Sequence, residues 1–153
     1  MRKIKTFLSL GLKQQLMFIE AFILSGYYRF AMIYLPFKYL KNQMGIPKTE
    51  SPSQVDDPAY VEAKRIRSIV LLACKYTPWE SKCLVRALLV QHFLKRKKIA
   101  TTIYLGVNKD GLNNMKAHAW IRCGEMIVTG QYEKDHFIQV ATFSNESFIA
   151  YAK

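Results

Sequence analysis

Residues 79–107, WESKCLVRALLVQHFLKRKKIATTIYLGV, carry two periodicities one after the other. From Ser81 onward apolar residues recur at helical spacing, and the basic run Lys95 to Lys98 falls where the last turn would be. Positive charge there complements the helix dipole. From Ile99 the period shortens, and TTIYLGV alternates like a strand. Downstream, NKDGLNNMK reads as a polar loop and AHAWIRC as a second strand. Gly124-Glu125 reads as a tight turn into MIVTGQ, and FIQVATF supplies a further strand. Helices first, then strands joined partly by hairpins, define an α+β domain with an antiparallel sheet.

Upstream of the quoted stretch, Asp57-Pro58 reads as an N-cap and first helical residue. The helix it opens runs through VEAKRIRSIVLLACKYT, offers Val61, Ile66, Ile69, Val70 and Ala73 for burial, and stops before Pro78. Residues 45–58, GIPKTESPSQVDDP, collect three prolines, a glycine and small polar residues and read as a linker. Residues 4–44 read as helical, with Phe18, Phe22, Tyr28, Met32 and Leu35 at three-to-four spacing and Pro36 as the break. Two uses fit this segment: helices packing on the domain, or a surface that docks a membrane or a partner helix. The division expected is therefore an N-terminal helical segment over 1–44, a linker over 45–58 and a core over 59–153.

At 153 residues, half of them hydrophobic, the chain suits one domain with a single core and excludes disorder, collagen-like repeats and a disulfide-dense scaffold. The 23 Lys and Arg against 11 acids give a net charge of +12, which favours acidic partners without choosing among them. Three widely spaced cysteines, without a C-x-x-C pair, point to a reducing compartment. In MRKIKTFLSLGLKQQ the apolar run from Phe7 to Leu12 is short and no small-residue cleavage site follows. Glu20 and Arg29 interrupt the apolar stretch from Leu16 to Leu35. The expected location is cytoplasmic, with peripheral membrane contact as the open alternative.

Cys83 is the residue that invites chemistry. With Ser81 as N-cap it falls at the second helical position, where unpaired N–H groups and the dipole favour a thiolate, with Lys82 and Arg86 adding charge. The plainer reading is a small core residue. Cys74 lies late in an apolar helix and Cys123 ends a strand beside a turn. A zinc site built from Cys83, His118 and Cys123 lacks the short paired spacings of structural sites, so no metal and no cofactor is expected. A nucleophilic cysteine needs a base. His92 lies nine residues on, about 180° around the same helix, and His136 follows a charged loop. His118 sits in a strand between two alanines that leave room around its ring.

Together, Trp79-x-x-x-Cys83-Leu84-x-Arg86-Ala87-Leu88, Leu105-Gly106-Val107 and Ala117-His118-Ala119-Trp120 resemble the leader peptidases of lasso-peptide biosynthesis. Thr129-Gly130-Gln131 and Phe137-x-x-x-Ala141-x-Phe143 are similar to that family's C-terminal pattern. These proteins form part of the transglutaminase-like branch of papain-type cysteine hydrolases. The resemblance implies a transglutaminase-like core and an ATP-independent cysteine peptidase that removes the leader from a ribosomally made precursor peptide, cutting after a threonine near the leader's end. Cys83 would match the nucleophile and His118 the base, and the implied partners are the precursor leader peptide, a small leader-recognition protein and a lasso cyclase.

Relatives with a full triad carry an acid on the strand after the histidine. Counting back from a two-residue turn at Gly124-Glu125 pairs Cys123 with Met126 and places Gln131 opposite His118, with Thr129 diagonal. Gln131 is thus the candidate orienter, acting through its amide oxygen. Asp135, the nearest downstream acid, lies in the following loop. The Cys83 backbone N–H would help hold the oxyanion. Trp79 reads as core or site wall, and Trp120 as a shield for the imidazole. Rival readings are an acyltransferase on the same fold, a basic scaffold at a membrane and a nucleic-acid module using the helices over 58–77 and 81–98. The apolar middle of the second helix counts against the last, so no nucleic-acid partner is expected.

Overall fold

A computed structural model describes residues 7–109, 114–132 and 134–145. The order is α1 (Leu12–Tyr34), α2 (Phe37–Met44), β1 (Ile46–Pro47), α3 (Asp57–Tyr76), α4 (Cys83–Arg96), β2 (Thr102–Lys109), β3 (Met115–Cys123), β4 (Met126–Thr129), a 3₁₀ turn (Lys134–His136) and β5 (Ile138–Ser144). The strands form one antiparallel sheet in the order β1-β5-β2-β3-β4. The α+β class, helices first and an antiparallel sheet after, is the architecture.

The helix that precedes the change of period is the centre of the molecule. α4 buries Leu84, Val85, Ala87, Leu88, Leu89, Val90, Phe93 and Leu94. It touches all three other helices on one side and β3 and β4 on the other. Burying a leucine in such a place contributes about 1.5–3 kcal/mol over leaving it exposed. The basic end of α4 is engaged as well: Arg96 pairs with Glu20 of α1 and Lys97 with Glu62 of α3, at 3.6 Å for the latter.

The start of α3 lies one residue ahead of the expected position. Asp56 is the N-cap, its carboxylate accepting from the Ala59 N–H at 3.2 Å, so Asp57 and Pro58 open the helix itself. Residues 45–58, expected as a linker, contribute to the sheet. Ile46 and Pro47 pair with Ser144 and Phe143 as an edge strand, a position that tolerates a proline. The segment is then strapped down by side chains of the sheet. Ser51 N–H donates to Thr102 Oγ1 at 2.7 Å, and the Arg122 guanidinium donates to the carbonyls of Ser51 and Pro52 at 2.7 and 3.2 Å.

α1 lies across α3 and α4, burying Ala21, Ser25, Tyr28 and Ala31, and α2 follows after Pro36 with Leu40 and Met44 buried. Glu20 anchors it, accepting from Arg96 and lying 3.1 Å from His92 Nε2. Burial pushes the Glu20 carboxyl up, but the hydrogen bonds and charges of Arg96 and His92 outweigh it and hold its pKa below the ordinary value. A carboxyl depressed in the folded state stabilises above its unfolded pKa and loses that stabilisation as pH falls through the folded one. Glu20→Gln should therefore lower Tm at neutral pH and flatten its fall on acidification below about pH 4.3, read by thermal melts across pH.

Candidate active site

Cys83 is the first residue of α4. The N-cap is Lys82, in extended backbone and with no side-chain cap, so the expected Ser81 cap is displaced by one. The reason is that the Ser81 hydroxyl is engaged elsewhere, 3.1 Å from Thr77 Oγ1. The first intrahelical bond runs from the Arg86 N–H to the Lys82 carbonyl at 3.1 Å. The N–H of Cys83 therefore belongs to the unpaired first turn of the helix.

Cys83 and His118 line one open cleft of about 720 Å³. Its walls come from α3 (Arg67, Leu71), the α3–α4 turn and α4 start (Trp79 to Cys83, and Arg86), β3 (Ala117, His118) and residues 128–132 at and beyond the end of β4. Cys83 and His118 lie 35 positions apart in the chain, and the packing of α4 on β3 brings both to the same cleft.

The imidazole of His118 is buried, with two aromatic rings against it. Its ring stacks on Trp120 at 6.0 Å and 25°, and Phe137 covers it at 5.0 Å and 34°. Trp120 in turn stacks on Tyr104 across the β2–β3 pair at 5.7 Å. Gly106, directly opposite His118, makes room for this: an added Cβ would meet Trp120 at 2.8 Å and Phe137 at 2.9 Å. His118 Nε2 lies 3.0 Å from the Gly130 carbonyl oxygen. A carbonyl only accepts, so Nε2 carries the proton of that bond, and in the neutral ring the basic lone pair is on Nδ1.

The Gly130 carbonyl occupies the place expected for Gln131. Cys123 does pair with Met126 across the turn, but a bulge between Ile121 and Arg122 then advances the register by one, pairing Ile121 with Thr129. The shift removes Gln131 from the position opposite His118, and β4 ends before it at Thr129. The Gln131 side chain is exposed at the cleft and makes no hydrogen bond among the described residues. Asp135 is likewise elsewhere: it is exposed, lies 3.7 Å from Lys134 and lines a separate groove beside Trp120. Gly130 itself has φ +87°, and a Cβ there would meet the Ala119 carbonyl at 2.6 Å and Trp120 Cβ at 2.7 Å.

Trp79 is both wall and anchor, lining the cleft while its indole N–H donates to Ser25 Oγ of α1 at 3.0 Å. His92 is committed to Glu20, and His136 lies exposed in the 3₁₀ turn. Arg67 and Leu71 entered from α3, whose residue types gave no chemical signal. Arg67 and Arg86 line the cleft and form no ion pair among the described residues, while Glu80, also in the lining, is paired with Arg29 and Lys82. No three His, Cys, Asp or Glu side chains converge as a metal cluster among the described residues.

The three thiols differ in environment. Burial pushes Cys74 up, partly opposed by Ser81 and Arg86, and burial pushes Cys123 up to about 11. Cys83 is half-buried at the cleft. Iodoacetamide near neutral pH should therefore modify Cys83 at least about tenfold faster than the other two, as read by peptide mass spectrometry. Equal rates at the three sites would contradict this assignment of environments.

A cysteine at a helix start and a ring-stacked, hydrogen-bonded histidine facing one cleft form the arrangement used in cysteine-dependent acyl transfer. The sequence profile of the transglutaminase-like superfamily matches residues 31–142, and the chain belongs to that superfamily. No curated protein and no solved structure gives a significant match.

Proposed function

We propose that this protein is a cysteine peptidase that removes the leader from a lasso precursor peptide without ATP. The observation that carries the reading is the placement of Cys83 and His118 on one open cleft, with the His118 ring held by the Gly130 carbonyl. His118 takes the Cys83 proton on Nδ1, and the thiolate attacks the scissile carbonyl carbon to form a C–S bond. The N–H of Cys83 stabilises the oxyanion. The imidazolium then protonates the leaving amine as the C–N bond breaks, and water, deprotonated by His118, hydrolyses the thioester.

The cleft's open form suits an extended peptide, and Arg67 and Arg86 suit an acidic group on it. The sequence resemblance supports the finer identity: a small leader-recognition protein presents the precursor, and a lasso cyclase takes the product. Incubating the protein with a lasso precursor and the leader-recognition partner, without ATP, should give one cut at the leader's end by mass spectrometry. Transfer of the leader to an added amine, with no free leader acid formed, would replace the peptidase reading by an acyltransferase.

A further inference from the structure

α1 presents a second surface, on the side away from the domain. Leu12, Leu16, Ile19, Ile23, Phe30 and Ile33 are each between 46% and 73% exposed. Their spacings of three, four and seven residues put them in one stripe, about 32 Å long at 1.5 Å per residue. Tyr27 and Tyr34 at its edge, with Phe37 and Tyr39 of α2, extend it with exposed aromatic rings. No charged residue lies within the stripe. Of the three charges on α1, Lys13 stands at the first turn, Glu20 is turned to Arg96 and His92, and Arg29 is paired with Glu80 at 3.4 Å.

The occupant follows from charge and packing. Residues 1–44 hold seven Lys and Arg and one acid, Glu20. Lys13, Lys38 and Lys41 are exposed and form no ion pair among the described residues. A second copy would bring two such cationic segments face to face, at a Coulombic cost. α1 is long and apolar enough to cross a bilayer by length and composition. Its other face, however, packs on α3 and α4, and Ser25 holds the Trp79 indole of the cleft wall. Crossing would strip those contacts, whereas lying flat keeps them. An apolar stripe flanked by aromatic rings and lysines, with the opposite face on the domain, is the composition of an interfacial helix.

We propose that the outer face of α1, with the start of α2, docks the protein peripherally on an anionic lipid bilayer, α1 lying in the plane of the interface. The proposal is independent of the reaction at the cleft. The test is co-sedimentation of the full chain with vesicles of equimolar phosphatidylglycerol and phosphatidylcholine, and with phosphatidylcholine alone. Binding is expected to the anionic vesicles and to weaken as salt is added. Ile23→Ser/Phe30→Ser should reduce it about tenfold or more, and Lys38→Gln/Lys41→Gln by a similar factor. All four positions are exposed, and circular dichroism verifies the fold of each variant. Equal binding to neutral vesicles, or binding that Ile23→Ser/Phe30→Ser leaves unchanged, overturns the proposal. So does absence of binding to either vesicle; light scattering then tells a face covered by a second copy from one reserved for a protein partner.

Discussion

Cys83→Ala is expected to lower leader removal by about 10⁴-fold or more, and His118→Ala by a comparable factor, with the double variant little worse than either. The non-additivity follows from the two acting as one unit: without the thiol there is no proton for the imidazole to take, and without the imidazole the thiol is a weak nucleophile. Both substitutions should leave the fold intact. Cys83 is only half-buried at the first position of α4, where alanine is tolerated. Truncating His118 removes a ring that contacts Trp120 and Phe137 and costs some stability, so the comparison belongs below the variant's melting range. Single-turnover rates on the precursor check it. Cleavage that survives Cys83→Ala would remove the cysteine from the chemistry altogether.

Gly130→Ala is expected to have the next largest effect. At φ +87° an L side chain costs on the order of 1–3 kcal/mol. The added Cβ also presses on the Ala119 carbonyl and Trp120, and the backbone must move to relieve both contacts. That motion carries the Gly130 carbonyl away from His118 Nε2, and the imidazole loses a bond that helps fix its orientation and tautomer. The expected outcome is a fall of about 10²-fold in kcat with KM nearly unchanged. Gln131→Ala, one residue along at the same cleft, should change kcat less than about threefold, since its side chain holds nothing among the described residues. A large loss at Gln131 together with a small one at Gly130 would reverse the assignment of the orienting group.

The contrast between these neighbours explains what sequence could and could not convey. The helix over α4 and the strands after Ile99 were legible because a change of period needs no tertiary information. Cys83 and His118 were legible because their side chains carry the chemistry and their residue types name it. The Gly130 contact to His118 comes instead from a backbone carbonyl, which every residue has, so no residue type announces it. The bulge between Ile121 and Arg122 leaves the alternation readable on either side while moving every later partner by one. Edge strand β1 escaped for another reason: two residues, one of them proline, carry no period, and the arginine that ties down the segment after it lies some seventy positions downstream. Ser81 misled at the α4 start because its hydroxyl pairs with Thr77 in the preceding turn instead of with the helix.

The position of β5 in the sheet sets an order of events during synthesis. β5 lies between β1, made from residues 46–47, and β2, so the strand made last among them fills a central place. Until residues 138–144 are available, β1 has nothing to pair with and the outer edge of β2 stays open. Phe137, immediately ahead of β5, is absent from the His118 ring over the same interval. A chain still emerging from the ribosome can thus have α4, Cys83 and His118 in hand and yet hold an uncovered imidazole beside an unfinished sheet. Closure of the sheet and covering of the His118 ring both wait for residues 137–144.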